Sequence, residues 1–319
     1  MNLLEEREYY KPFVYPWAFE KYKKQQQMHW LPDEVPLQDD IKDYNQKLSA
    51  DERLLIDNIF RFFTQADVDV CCVYAKHYLP TFKQPEVRMM LVSFAAMEAV
   101  HQEAYSLLLE TLGKSDDMYQ EFFDIQAMSD KHDDLTDFSM ETKHDIAKTM
   151  AVYSGFTEGV QLFSSFAILL NYPRHNLMKG MGQIVTWSIR DESLHVEGLS
   201  ELFRTFMREN PELWTDKLKY EIYCAAERTV ELEDNFIDVC FNKVTVPDLT
   251  AREVKEYIRY IADRRLLGLG MKAIFKSTVN PLPWIDMQVN AVEHTNFFEN
   301  RATEYAKAST QGNWQDVFK

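Results

Sequence analysis

One short motif occurs twice in this chain and limits, more than any other feature, what the chain can fold into. Glu98 and His101 form the first Glu-x-x-His pair. Glu192 and His195 form the second. Residues three apart leave the same face of an α-helix with Cβ atoms about 5–6 Å apart, so each pair can hold one metal ion. A single pair arises often by chance, but two in one chain indicate a metal site.

An acidic residue precedes each pair, at a position where the apolar pattern predicts burial. Asp67 lies 31 residues before Glu98. Glu158 lies 34 residues before Glu192. Burying an unpaired carboxylate is costly, so these residues should be paired or coordinated. Four carboxylates and two imidazoles on four helices match a two-metal bundle and suit iron or manganese better than zinc. The predicted ligands are Asp67, Glu98, His101, Glu158, Glu192 and His195.

Helical patterns account for most of the chain. It has 319 residues, 46% of them hydrophobic, and only 9 glycines, without the alternation typical of strands. We therefore expect an all-α protein in which a four-helix core is extended by additional helices. Apolar spacing, capping boxes at Ser49 and Thr250, and proline positions mark the helix ends. The predicted long helices are 49–78, 85–113, 144–170, 175–209, 211–241 and 251–276.

The two ends of the chain lack this periodicity. Residues 1–48 mix aromatic, charged and proline residues and are expected to form an irregular arm over the core. Residues 49–300 form the helical domain in this interpretation. Residues 301–319 are polar without an apolar face, which is typical of a flexible tail that is available to a partner.

Composition argues against several kinds of partner. A net charge of −16 disfavours nucleic acid and anionic membrane surfaces. The N-terminus lacks the order of a signal peptide, and the longest apolar run, 162–170, is much shorter than the roughly 20 residues that span a bilayer. The four cysteines have no zinc-type spacing and suit a reducing compartment. We expect a cytoplasmic protein without a membrane segment.

Tyr105 is the candidate redox residue. It follows His101 by four residues on the same helix face, so its phenol should lie within several ångströms of the nearer metal. A buried tyrosine is usually an ordinary core residue. Beside a two-metal site, it could instead form a tyrosyl radical sheltered by apolar side chains such as Leu162 and Phe166.

These residues resemble the small subunit of class I ribonucleotide reductase across nearly the whole chain. The similar segments are TQAD ending at Asp67, MEAVHQEAYSLLLETLG, SGFTEGVQLFSSF, IRDESLH, NPLPWID and HTNFFENRATEY. The resemblance implies a ferritin-like bundle with two metal ions per chain, as an Fe/Fe, Mn/Mn or Mn/Fe pair. It also implies a ribonucleoside-diphosphate reductase function in deoxyribonucleotide synthesis: oxygen or superoxide makes a stable oxidant here, and a separate large subunit uses it to reduce ribonucleotides.

The same resemblance assigns a path for the oxidising equivalent. Trp30, in HWLPDEV, matches a tryptophan that is hydrogen-bonded to the aspartate before the second Glu-x-x-His, here Asp191. Asp191 would orient a metal-bound histidine, His101. Tyr305 matches the tail tyrosine that passes the radical across the subunit interface.

The resemblance also implies partners. The terminal segment, with Trp314 and Phe318 among polar residues, is similar to a peptide that docks on the large subunit. A homodimer is expected, and the need for a flavoprotein activator stays open. Two departures from the family pattern, Leu162 and Cys71, leave open whether Tyr105 or the metal pair stores the oxidant.

Two other functions are compatible with the same bundle. A dimetal oxidase or hydroxylase would keep the six ligands but would need a substrate channel and no radical path. A ferritin-type metal store or a purely structural bundle would not need a buried tyrosine beside the metals.

Overall fold

The computed structural model describes residues 2–136, 138–242 and 244–288. Within these ranges the regular elements are helical, apart from one isolated β-bridge between Val246 and Leu249. The all-α prediction is confirmed. The α-helices are α1 (Pro16–Met28), α2 (Gln38–Gln46), α3 (Ala50–Val73), α4 (Leu79–Thr81), α5 (Pro85–Thr111), α6 (Asp117–Gln120), α7 (Gln126–Thr136), α8 (Lys143–Val152), α9 (Phe163–Arg174), α10 (Lys179–Glu209), α11 (Asp216–Phe241) and α12 (Ala251–Gly268).

Shorter helical elements connect several of these helices. The 3₁₀ helices are Pro32–Glu34, Glu121–Asp124 and Pro211–Leu213. The π-helical turns are Tyr74–Tyr78 and Tyr153–Thr157. In the described part of the chain, no helix is both long enough and apolar enough to cross a membrane.

The core is formed where α3, α5 and α10 pack together with α8 and α9. Local signals set the ends of these helices as predicted. Ser49 and Glu52 form a reciprocal capping box at the start of α3. Pro85 occupies the first turn of α5, and Gly113, at φ +78°, lies just past its end. The helices that carry the predicted ligands therefore share one buried interior.

The N-terminal arm is more regular than predicted, because it contains α1 and α2. Helix α1 packs against α5 and α10, yet it buries only Ala18 and Gln25 among mostly polar residues. Such a helix is stabilised by packing rather than by a strong apolar stripe, so its sequence shows little periodicity. The division of the chain at residues 48 and 300 stays a prediction.

Helix α2 caps the start of α10 with two carboxylates. Asp40 accepts hydrogen bonds from the backbone N–H groups of Gly180 (3.0 Å) and Met181 (2.6 Å). Asp43 accepts one from Met178 at 2.9 Å. These contacts satisfy N–H groups that have no partner inside the helix, and negative charge is favourable at a helix N-terminus. The arm thus fixes the helix that carries the second Glu-x-x-His pair.

The predicted helix 144–170 is not continuous, and this expectation was wrong. Helix α8 ends at Val152, and a π-helical turn and an irregular segment precede α9. Two glycines permit close backbone approach in this region. A Cβ atom added to Gly159 would lie 2.2 Å from the carbonyl oxygen of Gly155 and 2.8 Å from Nε of Arg265. The interruption therefore depends on glycine, and Glu158 lies within it.

Two cationic side chains, one of them fully buried, hold the irregular segment. Lys131 Nζ donates a hydrogen bond to the Gln161 carbonyl (2.8 Å), and Arg265 Nε donates to the Gly159 carbonyl (3.0 Å). Lys131 is fully buried and pairs with Glu233 at 2.5 Å. The interrupted helix leaves carbonyl groups without helical partners, and these two side chains satisfy them.

Helix α12 also ends earlier than predicted, at Gly268 rather than near residue 276. Gly270 adopts φ +80°, which turns the chain away from the helix axis. The carboxylate of Asp263 then accepts hydrogen bonds from three backbone N–H groups at 2.9–3.0 Å. The following loop is organised by this side chain instead of by a helix.

Replacing Lys131 by Met should lower the free energy of unfolding by about 3–5 kcal/mol, because the Glu233 carboxylate would stay buried without a positive partner. The double variant Lys131→Met/Glu233→Leu should recover most of this loss, since apolar replacement of a buried pair is often near neutral. Urea denaturation at fixed protein concentration measures both variants.

The control for this prediction is the ion pair between Lys255 and Asp238, whose aspartate is largely exposed. Lys255→Met should cost less than about 1 kcal/mol. Equal losses in the single and double variants at Lys131 would contradict the prediction.

Candidate metal centre

Six side chains meet in the interior of the bundle, and they are the six predicted from sequence. Helix α3 provides one carboxylate, α5 and α10 each provide a Glu-x-x-His pair, and the segment after the second π-helical turn provides the last carboxylate. None of the six residues is more than 1% exposed. They are Asp67, Glu98, His101, Glu158, Glu192 and His195.

The donor atoms of these residues form two overlapping groups. Asp67, Glu98 and His101 make up the first group. Glu98, with Glu158, Glu192 and His195, makes up the second. Within each group, the donor atoms lie within 4.8 Å of one another. Each group therefore brings together a histidine nitrogen and at least two carboxylate oxygens at a separation that one cation can span.

Glu98 is shared by the two groups, and Glu192 of the second group also approaches the histidine of the first. Oε2 of Glu98 lies 3.4 Å from His101 Nδ1, and its Oε1 lies 2.9 Å from His195 Nδ1. Oε1 of Glu192 lies 3.4 Å from His101 Nδ1, and its Oε2 lies 3.7 Å from His195 Nδ1. Each glutamate thus presents one oxygen to each histidine, which is the arrangement of a bridging carboxylate.

The other two carboxylates each face one histidine. Asp67 Oδ2 lies 4.0 Å from His101 Nδ1, and Glu158 Oε2 lies 3.2 Å from His195 Nδ1. The geometry therefore gives each histidine one carboxylate of its own and a share in the two that connect the groups.

Several of the donor atoms are buried without a hydrogen-bond partner. These atoms are Asp67 Oδ2, both carboxylate oxygens of Glu98, and His101 Nδ1. An unsatisfied buried polar group costs about 1–3 kcal/mol, and more when it is charged. Oxygen and imidazole donors held in this way fit a dinuclear iron or manganese site.

The carboxylates and the imidazoles perturb one another strongly. Burial raises the pKa of Asp67 well above its usual value, and it also raises that of Glu158. Burial alone would lower the pKa of each histidine, but hydrogen bonds to carboxylates outweigh it and raise both values well above normal. The interior of the bundle therefore favours positive charge beside these carboxylates, whether it is carried by imidazolium or by metal ions.

A second set of contacts joins this centre to the N-terminal arm. Trp30 Nε1 donates a hydrogen bond to Asp191 Oδ2 at 2.8 Å, and the same oxygen lies 3.3 Å from His101 Nε2. Gln25 donates to the other oxygen of Asp191 at 3.2 Å. Asp191 thereby binds the outer nitrogen of His101 and leaves Nδ1 facing the carboxylates. A carboxylate in this position fixes the orientation of a ligating imidazole.

Tyr105 lies beside the first group, in an aromatic environment. Its ring centroid is 6.2 Å from that of His101, 5.0 Å from that of Phe63 and 5.5 Å from that of Phe60. The side chain is 1% exposed. Burial, and then the charge of Asp67, raise the pKa of Tyr105 well above its usual value. The phenol is therefore kept protonated and shielded from water.

Two residues of the site were not found from sequence, and the predicted C-terminal residues cannot be placed in the structure. Tyr74 donates a hydrogen bond to Glu158 Oε1 at 2.6 Å. It lies seven residues after Asp67, so helical spacing could have indicated it. Gln25 gave no signal, because nothing in a polar helix marks which amide is buried. Tyr305 and the tail 301–319 lie outside the described residues.

A helical bundle that buries two overlapping carboxylate–histidine groups defines the class of ferritin-like dimetal-carboxylate proteins. Comparison with known proteins identifies the family within that class. The family model described as "Ribonucleotide reductase, small chain" matches residues 7–281. The chain belongs to this family, and the predicted family, fold and enzyme class are confirmed. The description of the family as a small chain implies a large-subunit partner.

Three similar proteins illustrate the relationship. "Probable ribonucleoside-diphosphate reductase small subunit 376L" of Invertebrate iridescent virus 6 is 46% identical, over 100% of this chain and 99% of its own. The R2 subunit of ribonucleotide reductase from Clostridium botulinum gives a TM-score of 0.80 at 22% identity, covering 86% of this chain and 88% of that one. Dimanganese(II)-NrdF of Streptococcus sanguinis gives a TM-score of 0.76 at 23% identity. This match covers 88% of this chain and 99% of that one. The two structures support the fold.

Glu192→Ala should remove at least one of two metal ions per chain, because it deletes an oxygen from each histidine's group. Elemental analysis after loading with iron or manganese, followed by desalting, measures the stoichiometry. Glu197, on the same helix, is an exposed ion-pair partner of Lys21 and provides the control, so Glu197→Ala should retain both ions. Two ions per chain in Glu192→Ala would contradict the ligand assignment.

Proposed function

We propose that this chain generates and stores the oxidant that a class I ribonucleotide reductase uses to start nucleotide reduction. The observation that carries the proposal is the pair of buried, overlapping carboxylate–histidine groups with Tyr105 beside one of them. In this proposal two ions of iron or manganese would be held by the six buried residues. Glu98 and Glu192 would serve both ions, Asp67 and His101 would serve one, and Glu158 and His195 would serve the other.

When bound, the metal pair would supply oxidising power from oxygen or superoxide. The protein's part is to confine that oxidation to one side chain. Tyr105 would lose one electron to the oxidised site and its phenolic proton to the carboxylate of Asp67, the charged group that acts most strongly on the phenol. Phe60 and Phe63 surround its ring and exclude water. Such an apolar wall would keep a neutral phenoxyl radical from being reduced or hydrated.

A hydrogen-bonded chain supports the proposed route out of the site. Asp191 lies between His101 Nε2 and Trp30 Nε1, so the metal-facing imidazole is linked to the arm through one carboxylate. The Trp30 and His101 rings are also stacked, with centroids 6.1 Å apart. An oxidase or hydroxylase would not need this link. Tyr305 would be the next carrier, toward the large subunit.

The proposal includes three partners and a location. A second copy of the chain would complete a homodimer, and the large subunit would bind the tail 301–319. A flavoprotein would serve as activator where superoxide is the oxidant. The reaction would take place in the cytoplasm.

Tyr105→Phe should abolish a tyrosyl doublet in the electron paramagnetic resonance spectrum without changing the metal content, because only the phenolic oxygen is removed. The protein would be loaded separately with iron and with manganese and then exposed to oxygen and to superoxide. Phe60→Leu is the matched control at the same cluster, and it should keep the doublet while shortening the lifetime of the radical. A multiline high-valent manganese signal that survives Tyr105→Phe would instead place the stored oxidant on the metals.

Tyr305→Phe should abolish nucleotide reduction in the presence of a large subunit, since the tail would lose its redox-active hydroxyl. Metal content and the tyrosyl signal should be unchanged. Tyr220, which is 69% exposed on α11, provides the control, and Tyr220→Phe should keep full activity. Loss of metal in Tyr305→Phe would show that this residue is misplaced in the path.

A further inference from the structure

Three fully buried tyrosines lie beside the second metal-binding group. Tyr74 and Tyr78 begin and end the first π-helical turn, and Tyr153 begins the second. Their ring centroids are 5.2–5.8 Å apart. Tyr74 is also 6.5 Å from the ring of His195. The cluster is thus close to His195, whereas Tyr105 lies beside the other histidine, His101.

The three hydroxyl groups have different surroundings. Tyr74 donates to Glu158 Oε1 at 2.6 Å. Tyr153 donates to the carbonyl oxygen of Val70 at 3.1 Å. The hydroxyl of Tyr78 has no hydrogen-bond partner. Within this cluster, only Tyr74 contacts a carboxylate of the metal centre.

Glu158 differs from the other ligands in how its backbone is held. It follows a π-helical turn, where the regular pattern of hydrogen bonds stops. Lys131 and Arg265 fix carbonyl groups after it, but neither is hydrogen-bonded to its carboxylate. The side chain itself contacts Tyr74 through Oε1 and His195 through Oε2. By binding one oxygen, the phenolic hydroxyl therefore fixes the orientation in which the other oxygen of Glu158 faces the histidine.

We propose that Tyr74 is a positioning residue for the metal ion at the second group. Its hydroxyl holds Oε1 of Glu158, so that Oε2 faces His195 and can act as a ligand. The ion at the first group, which Asp67 and His101 would hold, does not depend on the Tyr74 hydroxyl. This inference rests on the proposed function, because it presupposes that the two groups bind metal ions.

Tyr74→Phe removes one oxygen atom and keeps the ring packing. Loss of an outer-shell hydrogen bond to a metal ligand typically weakens metal binding 10–100-fold. The metal-free full-length chain is titrated with Mn²⁺ in the absence of oxygen, and free Mn²⁺ is measured by electron paramagnetic resonance. The titration should show this loss of affinity for one of the two ions. The affinity for the other ion should change less than twofold, and circular dichroism should confirm an unchanged fold.

Two neighbouring variants provide matched controls. Tyr78→Phe removes an unpartnered hydroxyl, and Tyr153→Phe removes a hydrogen bond to the backbone. Both should bind two Mn²⁺ ions as the unmodified chain does. If Tyr153→Phe weakened the same ion as strongly as Tyr74→Phe, the effect would come from the packing of the cluster and the proposal would be wrong.

A double-mutant cycle tests whether Tyr74 acts through Glu158. In a Glu158→Ala background, Tyr74→Phe should weaken the remaining Mn²⁺ affinity less than twofold, because its target is gone. A further loss of tenfold or more would overturn the proposal. Failure of the unmodified chain to take up two ions would contradict the proposed function itself. If Tyr74→Phe bound two ions as tightly as the unmodified chain does, only the role of Tyr74 would be overturned.

Discussion

The structure depends on four carboxylates that are held together inside a helical bundle. Four negative charges in a dry interior repel one another, and burying them uncompensated would exceed the stability of an ordinary domain. Two imidazoles and bound cations can neutralise them. Because Glu98 and Glu192 each face both histidines, α5 and α10 must keep their register to within a fraction of a turn. Much of the remaining fold secures that register.

Elements that carry none of the six residues illustrate this requirement. The α2 carboxylates cap α10, and α1 presents a buried amide to Asp191. Helices α7 and α11 contribute Lys131 and Glu233, which support the segment after Glu158. An isolated four-helix core would lack these supports. The additional helices therefore position the centre, as well as burying apolar surface.

Sequence patterns predicted the six residues that the structure brings together, and most of the helix ends, because spacing along a helix determines which side chains share a face. They did not identify the break before α9. Periodicity permits a continuous helix through Gly155 and Gly159. The break depends on these glycines together with two side chains that are distant in sequence, Lys131 and Arg265. Helix α1 was missed for a similar reason, since its stability comes from tertiary contacts. Long-range packing of polar groups leaves no local pattern.

The two halves of the centre are held in different ways. Asp67 and His101 lie on continuous helices, and Asp191 holds the outer nitrogen of His101. Tyr105 is beside this half, where small changes in distance would alter electron transfer. Glu158 lies on an interrupted helix in the other half. In this half the carboxylate is oriented through its side chain, by the hydrogen bond from Tyr74, rather than by a continuous helix.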